Sequence, residues 1–213
     1  MTPADIRDRL IAQRVVPVLR LASAEETEHA VDCLTDAGFR TFEITLTTPG
    51  AVALIGRLAA RADWLVGAGT VLDLDSARAC VQAGAKFLVS PCLVPGMARL
   101  AHEAGRAALI GGFTPGEILA GHREGADIVK VFPASTGGPE HLRAIHAVFP
   151  DIRLCPTGGV SLQNLESYFA AGAALVGVGN NIVDQRALAA GDRARVVAHA
   201  RRFLEPGAAV SAA

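Results

Sequence analysis

A lysine stands in the middle of an otherwise apolar segment, Gly125–Ser135, which reads GADIVKVFPAS. The chain contains only two lysines, Lys86 and Lys130, although lysine and arginine together number 20. An unpaired ammonium group is expensive to bury, so a lysine between Val129 and Val131 needs a reason. Burial favours the neutral amine, which can attack a carbonyl carbon. Lys130 is therefore a candidate nucleophile, whereas Lys86 is expected to be a solvated residue at the start of its strand.

An internal repeat indicates the elements that would position this lysine. A glycine followed by a short apolar run recurs, and together with related runs it gives eight predicted strands: VVPVLR, AGFRTFEITL, ADWLVGAG, AGAKFLVSP, AGRAALIGG, EGADIVKVFP, DIRLCPTGG and AGAALVGVG. Segments with helical periodicity lie between them, with Ser23 and Ser161 as predicted caps and a capping box from Ser23 to Glu26.

Strands that are apolar on both faces and alternate with helices pair in parallel under helical cover. The sequence therefore predicts an α/β fold, a single (β/α)8 TIM barrel domain over residues 1–213 with an extra N-terminal helix and another at the C-terminal end. An open doubly wound sheet is the alternative, but no GxGxxG motif follows the first strand.

The repeat also places a carboxylate near the lysine. Lys130 lies five residues after Gly125, and Glu43 lies five residues after Gly38, so both occupy the same level of even-numbered strands. Alternate strands of such a barrel fill one interior layer. Glu43 could then serve as the general acid and base for an imine on Lys130, as in a Schiff-base aldolase. The alternatives are a purely structural ion pair, a phosphate-binding barrel isomerase or synthase with Lys130 as an electrostatic clamp, and a non-catalytic binding barrel.

The loops after strands 7 and 8 predict an anion site. Function gathers at the C-terminal ends of barrel strands, where Thr157, Gly158 and Gly159 follow strand 7 and the turn 177–181 follows strand 8. Glycines let backbone N–H groups approach a phosphate, and a following helix would add its positive end. The alternative is that these glycines serve tight turns only.

Composition excludes several classes of partner. The net charge of −1 and the scattered arginines argue against nucleic acid, and the absence of a long apolar run argues against a membrane. The charged N-terminal residues do not resemble a signal peptide, so a cytoplasmic location is expected.

Cysteine and histidine positions argue against bound metal, and no cofactor is expected. Four separated cysteines are predicted to be small buried hydrophobic residues: Cys33, Cys80, Cys92 and Cys155. The histidines all fall in predicted helices and are expected at the surface: His29, His102, His122, His141, His146 and His199.

The sequence resembles the bacterial 2-keto-3-deoxy-6-phosphogluconate (KDPG) and 4-hydroxy-2-oxoglutarate (KHG) aldolases. The resemblance is collinear from about Val15 to about Val183 and rests on these motifs: VVPVLR, FEITLTTPGA, VGAGTVLD, KFLVSPCLVPG, IVKVFPA, RLCPTGGVSLQN and GVGN. It implies a class I aldolase and a homotrimer.

The resemblance also implies roles for individual residues. Lys130 would form the imine with pyruvate, and Glu43 would be the acid and base. Thr70 would line the pyruvate site, with Pro91 and Phe132 around the imine. The phosphate would be held by these residues: Gly158, Gly159, Gly179 and Asn180.

Two departures from the family pattern concern the substrate. Family members carry an arginine for the substrate carboxylate where this chain has Thr47, and Arg20 at the end of strand 1 could supply that charge instead, or form only a surface ion pair. Asn180 stands where a serine is common. The expected substrate is the phosphorylated gluconate derivative, with 4-hydroxy-2-oxoglutarate as a second candidate, and the galactonate epimer is the alternative.

Overall fold

Eight parallel strands close into a barrel, as predicted. The computed structural model describes residues 1–205; positions 206–213 of the predicted domain lie outside the described residues. The strands are β1 (Val15–Leu19), β2 (Thr41–Thr45), β3 (Leu65–Gly69), β4 (Phe87–Val89), β5 (Ala107–Gly112), β6 (Ile128–Val131), β7 (Leu154–Pro156) and β8 (Val176–Val178). They follow the order β7-β6-β5-β4-β3-β2-β1-β8. Two isolated parallel bridges, Leu154–Ala173 and Thr157–Gly177, join β7 to β8 and complete the ring.

Helices lie between successive strands, before β1 and after β8, and most of them cover the outside of the barrel. They are α1 (Pro3–Gln13), α2 (Ala24–Ala37), α3 (Ala51–Ala59), α4 (Leu74–Gln82), α5 (Met97–Glu103), α6 (Pro115–Arg123), α7 (Ala134–Val148), α8 (Leu165–Ala170), α9 (Gln185–Ala189) and α10 (Arg193–Arg201). The predicted extra helices are confirmed as α1 before β1 and α10 near the C-terminal end. Within residues 1–205, no helix is both long enough and apolar enough to cross a membrane.

The two predicted helix caps have different outcomes. Ser23 caps α2, because its hydroxyl accepts the N–H of Glu26 at 3.1 Å. The carboxylate of Glu26 accepts the N–H of Ala22 rather than that of Ser23, so the full capping box is not formed. The prediction for Ser161 is wrong, since α8 begins only at Leu165. The N–H of Ser161 donates instead to the side chain of Asn164, which holds this segment in a turn before the helix starts.

Side chains alternate between two separate apolar layers along each strand. Outward residues such as Phe42, Ile44 and Val129 pack beneath the helices, as expected for strands buried on both faces. Inward residues such as Phe87 and Ile128 form a smaller cluster inside the barrel.

Helix α1 closes the N-terminal end of the barrel. It begins with a capping box in which Thr2 and Asp5 exchange hydrogen bonds, and Pro3 occupies its first turn. Its fully buried residues Ile6 and Leu10 pack into the inner apolar cluster. The lower half of the interior is therefore filled, and polar chemistry is confined to the opposite, C-terminal end of the strands.

Replacement of Leu10 by alanine should destabilise the protein, because it leaves a cavity in the inner cluster. A buried Leu→Ala change typically costs about 2–5 kcal/mol in the free energy of unfolding. Urea denaturation of Leu10→Ala checks this, with Val148→Ala as the control, since Val148 is 66% exposed. Equal stabilities of the two variants would contradict the role assigned to α1.

Candidate active site

Lys130 and Glu43 meet inside the barrel, as their register predicted. Lys130 lies on β6 and Glu43 on β2, and their Nζ and Oε1 atoms are 3.4 Å apart although 87 positions separate them along the chain. Their side chains are only 6% and 4% exposed. The strands therefore bring together two buried opposite charges directly above the apolar layer that α1 closes.

Glycines on neighbouring strands make room for this pair. Gly111 is the register partner of Lys130 on β5, and a Cβ atom there would collide with the backbone of Pro91. A Cβ atom at Gly69, at the end of β3, would fall on the carboxylate of Glu43. Gly69 and Gly111 thus permit a close approach between side chains and backbone at this level.

A cavity of about 510 Å³ opens above the pair at the C-terminal end of the strands. Eleven of the twelve predicted site residues line it: Arg20, Glu43, Thr70, Pro91, Lys130, Phe132, Thr157, Gly158, Gly159, Gly179 and Asn180. Val18, Val160 and Asn181 also line the cavity but were not predicted individually. Asn181 lies within the turn 177–181 that the sequence assigns to the anion site, whereas the two valines carry no chemical signal.

Thr47 is the predicted residue that the structure does not bring to the cavity. Its hydroxyl lies 2.9 Å from that of Thr45, and the residue lines a separate depression formed by positions 46–53. Arg20, by contrast, lines the cavity from the position that follows β1. Within residues 1–205 its guanidinium forms no ion pair with a protein carboxylate, so the expected alternative of a surface ion pair is not found.

The two glycine-rich loops form the other end of the cavity. Gly158 and Gly159 adopt positive φ angles of 92° and 81°, which favour glycine, and a Cβ atom at Gly159 would approach Ser135 to 2.5 Å. In the described part of the chain, their N–H groups donate to no backbone carbonyl. Both are therefore available to an anion.

The predicted contribution of a helix N-terminus to this anion site is wrong. Helix α8 starts at Leu165, well beyond the loop, and β8 is followed by a 3₁₀ turn, Asn180–Ile182, rather than by an α-helix. Backbone N–H groups of the loops remain the donors that this end of the cavity offers.

Strained and desolvated groups surround the charged pair. Thr70 has a φ of 58°, a conformation that is unusual for a β-branched residue and is concentrated at functional sites. Burial raises the pKa of the Cys155 thiol to about 11, although the hydroxyl of Thr157 and the charge of Lys130 lower it in part. Cys155, the register partner of Lys130 on β7, is therefore a protonated, apolar wall at neutral pH.

The expectations for Cys92 and for Lys86 need correction. Cys92 is exposed, because it lies in the loop after β4, whereas the other three cysteines are buried as predicted. Lys86 is half-buried, and burial together with the nearby Arg106 lowers its pKa.

All six histidines lie in helices, as predicted, but only His29 and His122 are exposed. The others are half-buried and packed against neighbours; the ring of His102, for example, lies 2.8 Å from the carboxylate of Asp127. Residues 1–205 contain no group of three or more His, Cys, Asp or Glu side chains arranged to hold a metal ion.

Comparisons with known proteins agree with this geometry. The family model described as "Aldolase: KDPG and KHG aldolase" matches residues 6–199. The 2-dehydro-3-deoxy-phosphogluconate aldolase of Pseudomonas aeruginosa is 37% identical over 194 residues, which span 90% of this chain and 88% of that protein. A probable 2-dehydro-3-deoxy-6-phosphogalactonate aldolase of Rhizobium meliloti is also 37% identical, over 188 residues that span 86% of this chain and 88% of that protein.

A solved structure gives the same result for the fold. The KDPG aldolase of Legionella pneumophila, with pyruvate captured as a covalent carbinolamine intermediate, superposes with a TM-score of 0.85 at 29% identity and covers 95% of this chain and 98% of that one. The match of the family model and the near-complete coverage of these relatives establish the class. The chain belongs to the KDPG and KHG aldolase family and is a carbon–carbon lyase.

Proposed function

We propose that this protein is a class I aldolase that cleaves 2-dehydro-3-deoxy-6-phosphogluconate to pyruvate and glyceraldehyde 3-phosphate. The observation that carries the proposal is the Lys130–Glu43 pair, buried at 3.4 Å beneath a cavity whose other end presents glycine-rich loops. A nucleophile and an acid–base group in contact, with an anion site beyond them, fit imine chemistry on a phosphorylated keto acid.

The first half of the reaction forms an imine. After Lys130 transfers a proton to Glu43, its neutral amine attacks the keto carbon of the substrate and gives a carbinolamine. Glu43 then donates a proton to the hydroxyl group of the carbinolamine, which leaves as water while the iminium ion forms. The short distance between the two side chains lets one carboxyl group serve both proton transfers.

The second half of the reaction breaks the carbon–carbon bond. Removal of the proton from the C4 hydroxyl turns that oxygen into a carbonyl, the C3–C4 electron pair moves to the iminium nitrogen, and an enamine remains on Lys130. The phosphorylated aldehyde leaves. Protonation of the enamine at C3 and hydrolysis of the imine release pyruvate and restore the lysine. No external oxidant or reductant is needed, because the electron sink is the iminium ion itself.

The two ends of the substrate require different partners. The loops that contain Gly158, Gly159, Gly179 and Asn180 would hold the phosphate, and Arg20 would meet the carboxylate beside the imine. Thr70, Pro91 and Phe132 would surround the reacting carbon; the ring centroid of Phe132 lies 5.6 Å from Nζ of Lys130. Thr157 joins the two regions, since it lines the cavity next to the glycine loop.

The assigned epimer is the gluconate derivative, and 4-hydroxy-2-oxoglutarate is a second candidate substrate. The galactonate epimer remains the alternative, since a relative named for that activity is as similar in sequence as one named for the gluconate activity. We also place the protein in the cytoplasm, where free thiols persist, because all four cysteines are free.

A homotrimer is the proposed assembly. It rests on the family resemblance and on three exposed apolar side chains, Val52, Leu72 and Leu93, which follow the neighbouring strands β2, β3 and β4 at the same end of the barrel. Apolar side chains at one end of neighbouring strands suit a contact between subunits.

Trapping with pyruvate and borohydride tests the imine. Wild-type protein should gain one reduced pyruvyl group on Lys130, located by peptide mass spectrometry, and should lose activity. Lys130→Arg keeps a cation beside Glu43, so it should fold but should be neither labelled nor active. Full turnover with an unmodified Lys130, or substantial activity in Lys130→Arg, would instead favour the isomerase or synthase alternative in which the lysine is an electrostatic clamp.

Replacement of Arg20 by alanine tests the carboxylate contact. A hydrogen bond to a charged group is worth about 1.5–3 kcal/mol, so the pyruvate concentration for half-maximal trapping should rise about 10- to 100-fold. Arg78→Ala, on the exposed face of α4, is the control. An unchanged pyruvate requirement together with a raised KM for the phosphorylated substrate would move Arg20 to the phosphate end.

Light scattering tests the assembly. The protein should have three times the mass of its 22.0 kDa chain. Leu72→Glu combined with Leu93→Glu should shift it towards monomer because charged side chains oppose burial of an apolar contact, whereas Val148→Glu should not. A monomeric wild-type protein at all concentrations would rule out the trimer.

A further inference from the structure

A polar link connects the C-terminal helix to the anion end of the cavity. The ring Nε2 of His199, on α10, lies 2.8 Å from the carbonyl oxygen of Asn181. Because a carbonyl can only accept, Nε2 carries the proton and donates. The side chain of Asn181 in turn donates from Nδ2 to the carbonyl oxygen of Val160 at 2.9 Å. The turn after β8 is thus tied on one side to α10 and on the other to the loop after β7.

This link spans the weakest seam of the barrel. Strands β7 and β8 are three residues long and are joined only by two isolated bridges, whereas every other neighbouring pair shares a continuous register. The two glycine-rich loops lie on opposite sides of this seam. Backbone pairing alone therefore fixes their spacing poorly, and the Asn181–Val160 hydrogen bond is a direct tie between them.

Helix α10, which carries His199, is packed against the outside of the barrel. Its residues Val196 and Ala200 are fully buried in the outer apolar layer, and Phe203 beyond its end meets the ring of His199 edge-on at 5.7 Å between centroids. Arg193 at its start forms an ion pair with Asp36 of α2 at 2.7 Å. His199 is therefore held on a packed helix, with the carboxylate of Asp184, itself paired with Arg195, as the nearby charged group.

We propose that His199 is a positioning residue that, through Asn181, sets the spacing of the two glycine-rich loops and thereby the enzyme's preference for a phosphorylated substrate. Gly158 and Gly159 approach the anion from one side of the seam and the turn at Gly179 and Asn180 from the other. A change in their separation weakens binding of the phosphate and leaves Lys130 and Glu43, on β6 and β2, in place.

The test compares the phosphorylated sugar acid with the same acid lacking its phosphate. Loss of one hydrogen bond typically changes an equilibrium about 3- to 10-fold, so His199→Ala should raise KM for the phosphorylated substrate, and the inhibition constant for inorganic phosphate, by about that factor. KM for the unphosphorylated acid, kcat and pyruvate trapping on Lys130 should stay unchanged. His199→Gln can donate from its amide nitrogen and should restore the wild-type values. His29→Ala, on the exposed face of α2, is the matched control.

The outcomes separate this inference from the proposed function on which it rests. Wild-type protein that neither cleaves the sugar acid nor traps pyruvate would refute the proposed function. Active wild-type protein whose His199→Ala variant has unchanged constants, or equal changes for both substrates, would overturn the role of His199 alone. A lowered melting temperature with equal losses for both substrates would show that His199 only stabilises the fold.

Discussion

The buried contact between Lys130 and Glu43 is the constraint around which the barrel interior is organised. Each side chain is almost inaccessible, and removing one partner of a buried pair typically costs about 3–5 kcal/mol because the other charge is left alone. Apolar residues of similar size would serve stability as well or better. A pair retained at that cost, below an open cavity, is better explained by the chemistry of an amine and its proton acceptor than by packing.

The residues around the pair leave space for it and separate it from the N-terminal end of the barrel. Gly69 and Gly111 lack side chains where a Cβ atom would displace the carboxylate or the loop at Pro91. Cys155 contributes bulk without charge, since burial raises its pKa to about 11. Helix α1 fills the barrel from below with Ile6 and Leu10, so the charged pair borders the cavity on its upper side only. The apolar cluster therefore closes the site from below, and the glycines leave space beside the charged pair.

Much of this could be predicted from the sequence because it depends on local periodicity. The glycine repeat indicates the strand levels, and the equal spacing from Gly38 to Glu43 and from Gly125 to Lys130 predicts that the two side chains share one level. The sequence could not show where loops turn. The late start of α8 depends on hydrogen bonds of Asn164 to Ser161 and Gly159, and the exposure of Cys92 depends on the path of the loop after β4. The hydrogen bond from His199 to Asn181 could not be predicted either. Its acceptor is a main-chain carbonyl, which every residue has, so the sequence does not identify the partner.

The groups that break the carbon–carbon bond and the loops proposed to bind the phosphate lie on different strands of the barrel. The reacting groups stand on β2 and β6, each paired on both sides by continuous parallel registers, so their spacing is determined by the sheet. The anion loops flank the β7–β8 seam, where the sheet pairs through isolated bridges and side chains complete the connection. Catalytic groups must be held within about 0.5 Å of their productive geometry, whereas the phosphate would be held by several separate N–H donors. Substitutions near the β7–β8 seam can therefore alter substrate specificity while Lys130 and Glu43 keep their positions.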